Sequence, residues 1–549
     1  MDAVPTRNKW LILLAVTPGM FIALADATVM SIAIPSIIQK LGSSVTSVSW
    51  ILNGYNLVLT VLFITMGRIA DRYGHKLVFV LGLVVFAGSS LGCALSPTVS
   101  WIITFRVFQA VGAAGIVPTS LTLLLAAFPR EQQGFASGLF GAVSTLSASL
   151  GPTLGGLLIQ AGGWQWVFWF NLPMGALALA LAASLVPRHG HVRDVRPIDY
   201  PGVLFITAGL FMLTLALLEA NNWGWVSAPI LALFAAAAAT LALFVYWELR
   251  AAAPLFDLRL FRSRAFAAAN AAMTTVDLAM MGTAFMLVIY LVALIDYTEL
   301  RAAAAVTFVP AAGLLIAPFS GRLIDRIGPR LLALCGALIS AAGLFALAAL
   351  NRHASFGDVV WRTVIVGVGL GITLPSVTAA GMSSLPAAVK GVGSGLLNTS
   401  RQLGFLLGVA ILVAVFSATV HIAVLHSVAR GQVMVKRQPL LSQEWKQYIY
   451  RALEDARGID ATAGFGEIRK LVHPIAGVPV PPVGTTDAVA LLGLKDELEG
   501  VFLDETARAF VWPFCTAAIA ALLSLLPAAL LQRRLHGEAL VTEAAAQGP

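Results

Sequence analysis

Apolar residues run through this chain in long unbroken blocks, and the charges, prolines and many glycines gather in the segments between them. A helix that crosses the ~30 Å hydrocarbon layer needs roughly 20 apolar residues. Fourteen blocks meet that length, near 10–37, 49–69, 77–96, 99–127, 134–160, 166–186, 200–219, 228–249, 265–295, 302–320, 331–350, 358–383, 392–425 and 509–531. None has the polar alternation that membrane strands require, so the pattern predicts an all-α polytopic membrane protein with 14 transmembrane helices. The start of the chain imitates a secretory leader, with Arg7 and Lys9 before an apolar stretch and the triplet Ala23, Leu24, Ala25 within it. Cleavage there would halve a run that continues to Ile38, so the segment is expected to remain as the first span.

One polar interval is long. Residues 427–508 hold ten basic and eleven acidic side chains, a helix expected at 442–457 and a Pro/Val-rich stretch from Pro474 to Pro482. Leu491, Leu494, Leu498, Val501 and Phe502 recur at spacings of three and four, which predicts a second amphipathic helix leading into the last span. The interval reads as a small cap, either a packed lid or a recognition domain.

Composition agrees with the pattern. Of 549 residues, 58% are hydrophobic and 11% charged, with a mean hydropathy of +0.86, against about 25% charged in average soluble domains. That excludes disordered, nucleic-acid-binding and ordinary cytosolic enzyme classes. The net charge of +8 reflects topology, because the basic residues sit in short loops. With both termini cytoplasmic, the inner segments hold nineteen Lys and Arg and the short outer loops only Lys40, Arg301 and Arg352. The positive-inside rule therefore puts both termini in the cytoplasm and 427–508 outside. Cys93, Cys335 and Cys515 all fall in apolar runs without metal-ligand spacing, so neither a disulfide nor a metal site is expected.

The chain repeats itself. GRIADRYGHK at 67–76 and GRLIDRIGPR at 321–330 agree at five of ten positions, 254 residues apart. Pro129, Gly134, Ser137, Gly138 and Gly151 return as Pro386, Gly391, Ser394, Gly395 and Gly408, and Asp26 and Asp277 stand 251 apart. A duplicated six-helix unit with spans 7 and 8 inserted between the copies explains these offsets. Such halves can rock about a midplane cavity, the arrangement typical of secondary transporters. No G-x-x-x-x-G-K-[ST] phosphate cradle occurs, so energy is expected from an ion gradient or from the solute's own.

Gly67, Arg68, Asp71, Arg72, Gly74 and Lys76 after span 2, Arg106, Gln109 and Gly112 in span 4, and Gly151, Pro152, Gly155 and Gly156 in span 5 resemble the major facilitator superfamily. With Asp26, Thr28, Ala33 and Pro35 in span 1, the chain is similar to that family's fourteen-span drug:proton antiporter branch over about 1–425 and 509–531. The resemblance implies the major facilitator fold of two six-helix repeats plus two inserted helices. It also implies proton-coupled export of lipophilic or cationic drugs and toxic compounds across the cytoplasmic membrane of a bacterium. No cofactor beyond the proton gradient is implied, and the partners are small-molecule substrates, protons and the lipid bilayer, with no nucleic acid and a monomeric state. Gly151, Pro152, Gly155 and Gly156 match the antiporter motif, and the resemblance assigns Arg106 a role in proton transfer.

A carboxylate at the bilayer centre costs about 2.5–3.5 kcal/mol on insertion scales, so Asp26 and Asp277 are candidates for proton coupling, with a structural hydrogen-bonded role the alternative for each. Arg106 and Asp26 lie at compatible depths for an ion pair, either switchable or static. Charged residues at helix ends beside glycine (Gly67, Arg68, Asp71, Arg72, and the copies Asp325 and Arg326) suit a conformational latch; topogenic charge explains Arg72 but not Asp71 or Asp325. Asn398, Arg401 and Gln402 share one helix face, as a strip for solute or as helix-helix glue. Trp50, Asn53, Tyr55 and Asn56, then Asn171, then Met281 and Phe285, offer aromatic and adaptable surface for a substrate cavity.

The expected organisation is an N-terminal six-helix bundle at 1–190, two inserted helices at 191–260, spans 9–13 at 261–426, the extracytoplasmic cap at 427–508, the last helix at 509–532 and a cytoplasmic tail at 533–549. The eight histidines are scattered, which argues against a membrane-embedded transferase, and no enzyme is expected. The serious rival within transport is a dedicated exporter of one endogenous metabolite or lipid.

Overall fold

A computed structural model describes residues 9–41, 45–129, 132–187, 199–251, 254–255, 258–386, 389–459, 470–475, 478–479 and 485–534. The first six helices are α1 Lys9–Leu41, α2 Val45–Tyr73, α3 His75–Ala94, α4 Val99–Ala127, α5 Gln133–Gly162 and α6 Gln165–Leu185. Two more follow, α7 Tyr200–Trp223 and α8 Ala228–Glu248. The second group comprises α9 Arg264–Ala293, α10 Glu299–Ile327, α11 Pro329–Ala348, α12 Phe356–Ser383 and α13 Lys390–Arg437. Then come α14 Gln443–Arg457, α15 Thr486–Ala509 and α16 Val511–Leu523. Among the described residues there is no strand, and thirteen helices are long and apolar enough to cross a membrane. The expected span at 134–160 is α5, whose described apolar part, Thr153–Gly162, is shorter than that count requires. The tail from 535, residues 476–477 and 480–482 of the Pro/Val-rich stretch, and the side chain of Pro152 lie outside the described residues.

Helix starts follow the side chains that satisfy free N–H groups. Thr98, Ser263, Thr298 and Thr485 each accept from the backbone N–H three residues on, and Ser355 forms a reciprocal capping box with Asp358. Gly74 and Gly328, 254 residues apart, turn the chain at φ 103° and 90°, where a side chain would be strained. The sequence repeat is thus also a repeat of backbone conformation.

Packing follows the repeat as well. In the first half α1 packs on α4, α5 and α6, and α3 on α4 and α6; in the second α9 packs on α12 and α13, α11 on α12. Helix α16 lies against α9 and α11, as α6 lies against α1 and α3. It is the sixth member of the second half, separated from the fifth by the cap. The halves meet along α2 with α13 and α5 with α10, and the α7–α8 pair adjoins that seam through contacts of α7 with α2 and α13.

Helix α13 is 48 residues long, about 72 Å at 1.5 Å per residue, so it crosses the apolar layer and continues well beyond. The helix runs unbroken past 427, where the cap was expected to begin, and Val428, Gly431 and Val435 remain buried. Helices α14 and α15 pack on this extension, burying Ile449, Leu453, Leu494, Leu498 and Phe502. Arg352 of the α11–α12 loop forms a 3.1 Å ion pair with Asp504 of α15, a second tie to the same half.

Candidate functional site

A buried polar cluster lies within the first six helices. Asp26 of α1 is 2% exposed and ion-paired with Arg106 of α4, itself fully buried. The carboxylate also accepts from Gln109 Nε2 at 3.3 Å and Asn171 Nδ2 at 3.0 Å, and both amides donate to Ser90 Oγ, at 3.3 and 3.0 Å. Arg106 donates through Nε to the Ile51 carbonyl at 3.2 Å and through Nη1 to Gln109 Oε1 at 2.8 Å. Its guanidinium lies 4.0 Å from the Tyr55 ring centre, and Tyr55 donates to the Ala23 carbonyl at 2.9 Å. Five helices, α1, α2, α3, α4 and α6, thus converge on one carboxylate. A charge is tolerated in such a place only when paired and hydrogen-bonded, and neutralising Asp26 would leave Arg106 as the unbalanced charge. Ser90 and Gln109 were not among the expected site residues; Gln109, one turn from Arg106, carried the available signal.

The second half holds a looser pair. Asp277 of α9 is 2% exposed and receives Nε of Arg401 at 3.4 Å, while its Oδ2 is buried without a hydrogen bond. Arg401 borders a cavity of about 20 Å³ between the halves, lined also by Phe140 and Ser144 of α5, Met273 of α9, Thr378 of α12 and Asn398 of α13. That volume suits one or two waters and is far below that of a drug-sized pocket.

Below this cavity the halves are clamped by two matched contacts. Asp71 of α2 accepts from the backbone N–H groups of Gly391 and Val392, at 2.7 Å each, at the start of α13. Asp325 of α10 accepts from those of Gly134 and Phe135, at 2.9 and 3.1 Å, at the start of α5. Each carboxylate therefore sits on a helix N-terminus of the opposite half, where free N–H groups and the helix dipole favour an anion. Glycine permits the approach: a Cβ on Gly321 would stand 2.7 Å from the Gly134 carbonyl oxygen, and one on Gly67 would strike the Gly391 carbonyl. Arg68 is buried, Arg72 half-buried and Arg326 exposed.

The other expected site residues separate into groups. Asn398 and Arg401 border the cavity. Gln402 donates to Asn56 Oδ1 at 3.2 Å, joining α13 to α2. Tyr55 and Asn171 belong to the Asp26 cluster rather than to a solute surface. Trp50, Asn53 and Met281 are half-buried and Phe285 exposed, away from this cavity. In α5, a Cβ on Gly155 would stand 3.0 Å from the Val29 carbonyl oxygen and one on Gly151 would strike Thr28, so both let α5 lie directly on α1, whereas Gly156 faces open space.

Residues 16–409 match the Major Facilitator Superfamily. The chain belongs to that superfamily. This facilitator is 34% identical over 407 residues to the tetracenomycin C resistance and export protein of Streptomyces glaucescens, covering 74% of this chain and 75% of that one. It is 32% identical over 413 residues to the multidrug resistance protein Stp of Mycobacterium tuberculosis, covering 75% and 76%. Its fold is similar to that of the human organic anion transporter MFSD10, with a TM-score of 0.55 at 15% identity over 74% of this chain and 93% of that one. The facilitator is a multi-pass membrane transporter, not an enzyme.

Proposed function

We propose that this facilitator is a proton-coupled antiporter that exports bulky, largely apolar antibiotic-like compounds across a bacterial cytoplasmic membrane by alternating access. The observation that carries the reading is Asp26, a titratable carboxylate buried in α1 and balanced by Arg106. When Asp26 takes a proton it releases Arg106, and the helices that hold both must re-pair, so the protonation state is tied to the arrangement of the first half. The turns after α2 and α10 lie on the cytoplasmic side, as do both termini, and the Asp71 and Asp325 contacts close that side in the conformation described. Opening it releases the Asp26 proton inward and admits solute; closing it with Asp26 deprotonated and paired to Arg106 carries the solute outward, where Asp26 takes a new proton for the empty return. The resistance and export roles for which the relatives are named support the direction.

Energised bacterial cells making the protein should accumulate less of at least one dye in a panel of neutral, cationic and anionic fluorophores than cells lacking it. A protonophore should abolish the difference. Equal accumulation of every dye in both cell types removes the export reading. A second reading, export of one endogenous compound, draws on the relative named for tetracenomycin C alone, and is favoured if a single member of the panel is excluded.

A further inference from the structure

Arg106 and Arg401, each paired with a buried carboxylate inside a span, differ in what remains available to a ligand. Arg106 is fully buried, with Nε and Nη1 engaged by the Ile51 carbonyl, Asp26 and Gln109, the Tyr55 ring against its guanidinium, and Nη2 enclosed without a hydrogen bond, so no part of it is open to a ligand. Arg401 is 23% exposed and meets Asp277 only through Nε, at a long 3.4 Å. Among the described residues its two terminal nitrogens donate no hydrogen bond, and it stands in the wall of the cavity between the halves. The terminal edge of a guanidinium presents two parallel N–H groups, the geometry that matches a carboxylate or another planar anion. Around it the lining holds the Asn398 amide, which gives one N–H to the Ser394 carbonyl at 2.9 Å, the Ser144 hydroxyl, which donates to the Phe140 carbonyl at 2.9 Å, the Thr378 hydroxyl, and the apolar Phe140 and Met273, with no carboxylate among the described lining residues. Asp277 stands behind the arginine, 2% exposed, where it balances the charge without facing the cavity.

We infer that this water-sized cavity, once the halves part and widen it, takes solutes with an acidic group on an apolar body, a carboxylate or phenolate held on Arg401, where the sequence led to an expectation of lipophilic or cationic solutes. An organic cation entering the same cavity would meet the guanidinium with no exposed anion to offset it, and like charge in a low-dielectric site is strongly unfavourable. Asp277 then acts as an internal competitor. It draws on the same guanidinium from the far side and weakens the hold on the solute, which lets a bound anion leave. The inference rests on the export reading for its direction, but binding itself requires neither export nor a gradient.

The test is equilibrium binding to the purified full-length protein in detergent, read by fluorescence anisotropy, with fluorescein and a cationic rhodamine built on the same xanthene rings. Fluorescein should bind at least tenfold more tightly than the rhodamine. Arg401→Gln should weaken fluorescein roughly 10- to 100-fold, the worth of a hydrogen bond to a charged group, and leave the rhodamine unchanged or improved. Asp277→Asn should tighten fluorescein several-fold, a gain that a misfolded variant would not give; monodisperse elution checks both proteins. No fluorescein binding, tighter binding of the rhodamine by the parent, or fluorescein affinity unchanged in Arg401→Gln overturns the inference. Binding as expected together with equal dye accumulation in energised cells would instead leave the site intact and remove the export reading.

Discussion

Asp26 shows why a buried charge constrains its neighbours more than an exposed one does. Removing one partner of a buried ion pair typically costs about 3–5 kcal/mol, because the other charge is left uncompensated. Asp26→Asn should therefore abolish uphill export in proteoliposomes with an imposed pH gradient and also lower the melting temperature. Asp26→Asn combined with Arg106→Gln should recover most of the stability and none of the uphill export. Full pumping by either variant would take Asp26 out of the coupling mechanism. The pairing itself was legible in the sequence, since two ionisable residues at compatible depths in hydrocarbon have few alternatives to each other. Ser90 and Asn171 were not legible as its companions, because a lone hydroxyl or amide in an apolar run is affordable almost anywhere and nothing in its spacing marks the helix it faces.

Helix starts were readable where an apolar block follows polar residues: the blocks expected from 99, 265 and 358 begin within two residues of α4, α9 and α12, whereas α2 and α10 run four and seven residues past the ends expected at 69 and 320, because their last turns are polar. The continuation of α13 past its apolar block was not legible, for the opposite reason. Arg430, Lys436 and Arg437 resemble the start of a loop, yet the opposite face of the same helix is covered by α14 and α15. Local polarity cannot reveal cover that arrives from helices later in the chain. The contacts of Asp71 and Asp325 also belong to this scale, since each joins a side chain on one helix to the first turn of another. Replacing either carboxylate by Asn keeps its shape but removes a charge worth about 1–2 kcal/mol at a helix N-terminus. Each variant should shift the population toward opening at that face by roughly 5- to 30-fold, read as longer distances between spin labels on the α2–α3 and α10–α11 turns. Unchanged distance distributions in both would rule out a latch.

At the scale of the whole molecule, the cap is attached to one half. Its helices rest on α13, its ion pair at Asp504 reaches the α11–α12 loop, and α15 leads into α16 of the same half. Under the proposed cycle, solute crosses between the halves, protons pass through Asp26 in the first half, and the cap only rides along. Replacing residues 432–500 with a short flexible linker should preserve proton-coupled transport in proteoliposomes, with a lower melting temperature because the cap's apolar packing is lost. A folded, correctly inserted linker variant without coupled transport would make the cap part of the mechanism.

The continuity of α13 has one more consequence, which concerns leverage. From Arg401 to Arg437 the helix spans about 54 Å at 1.5 Å per residue, so a rocking of this half by about 10°, within the range of rigid-body switching motions, would sweep the cap through roughly 9 Å. The arginine in the wall of the cavity and the tip outside the bilayer are two points on one stiff rod. A partner that gripped the tip would bias the cavity mechanically without entering it, and the cap would serve as a handle on the transport cycle.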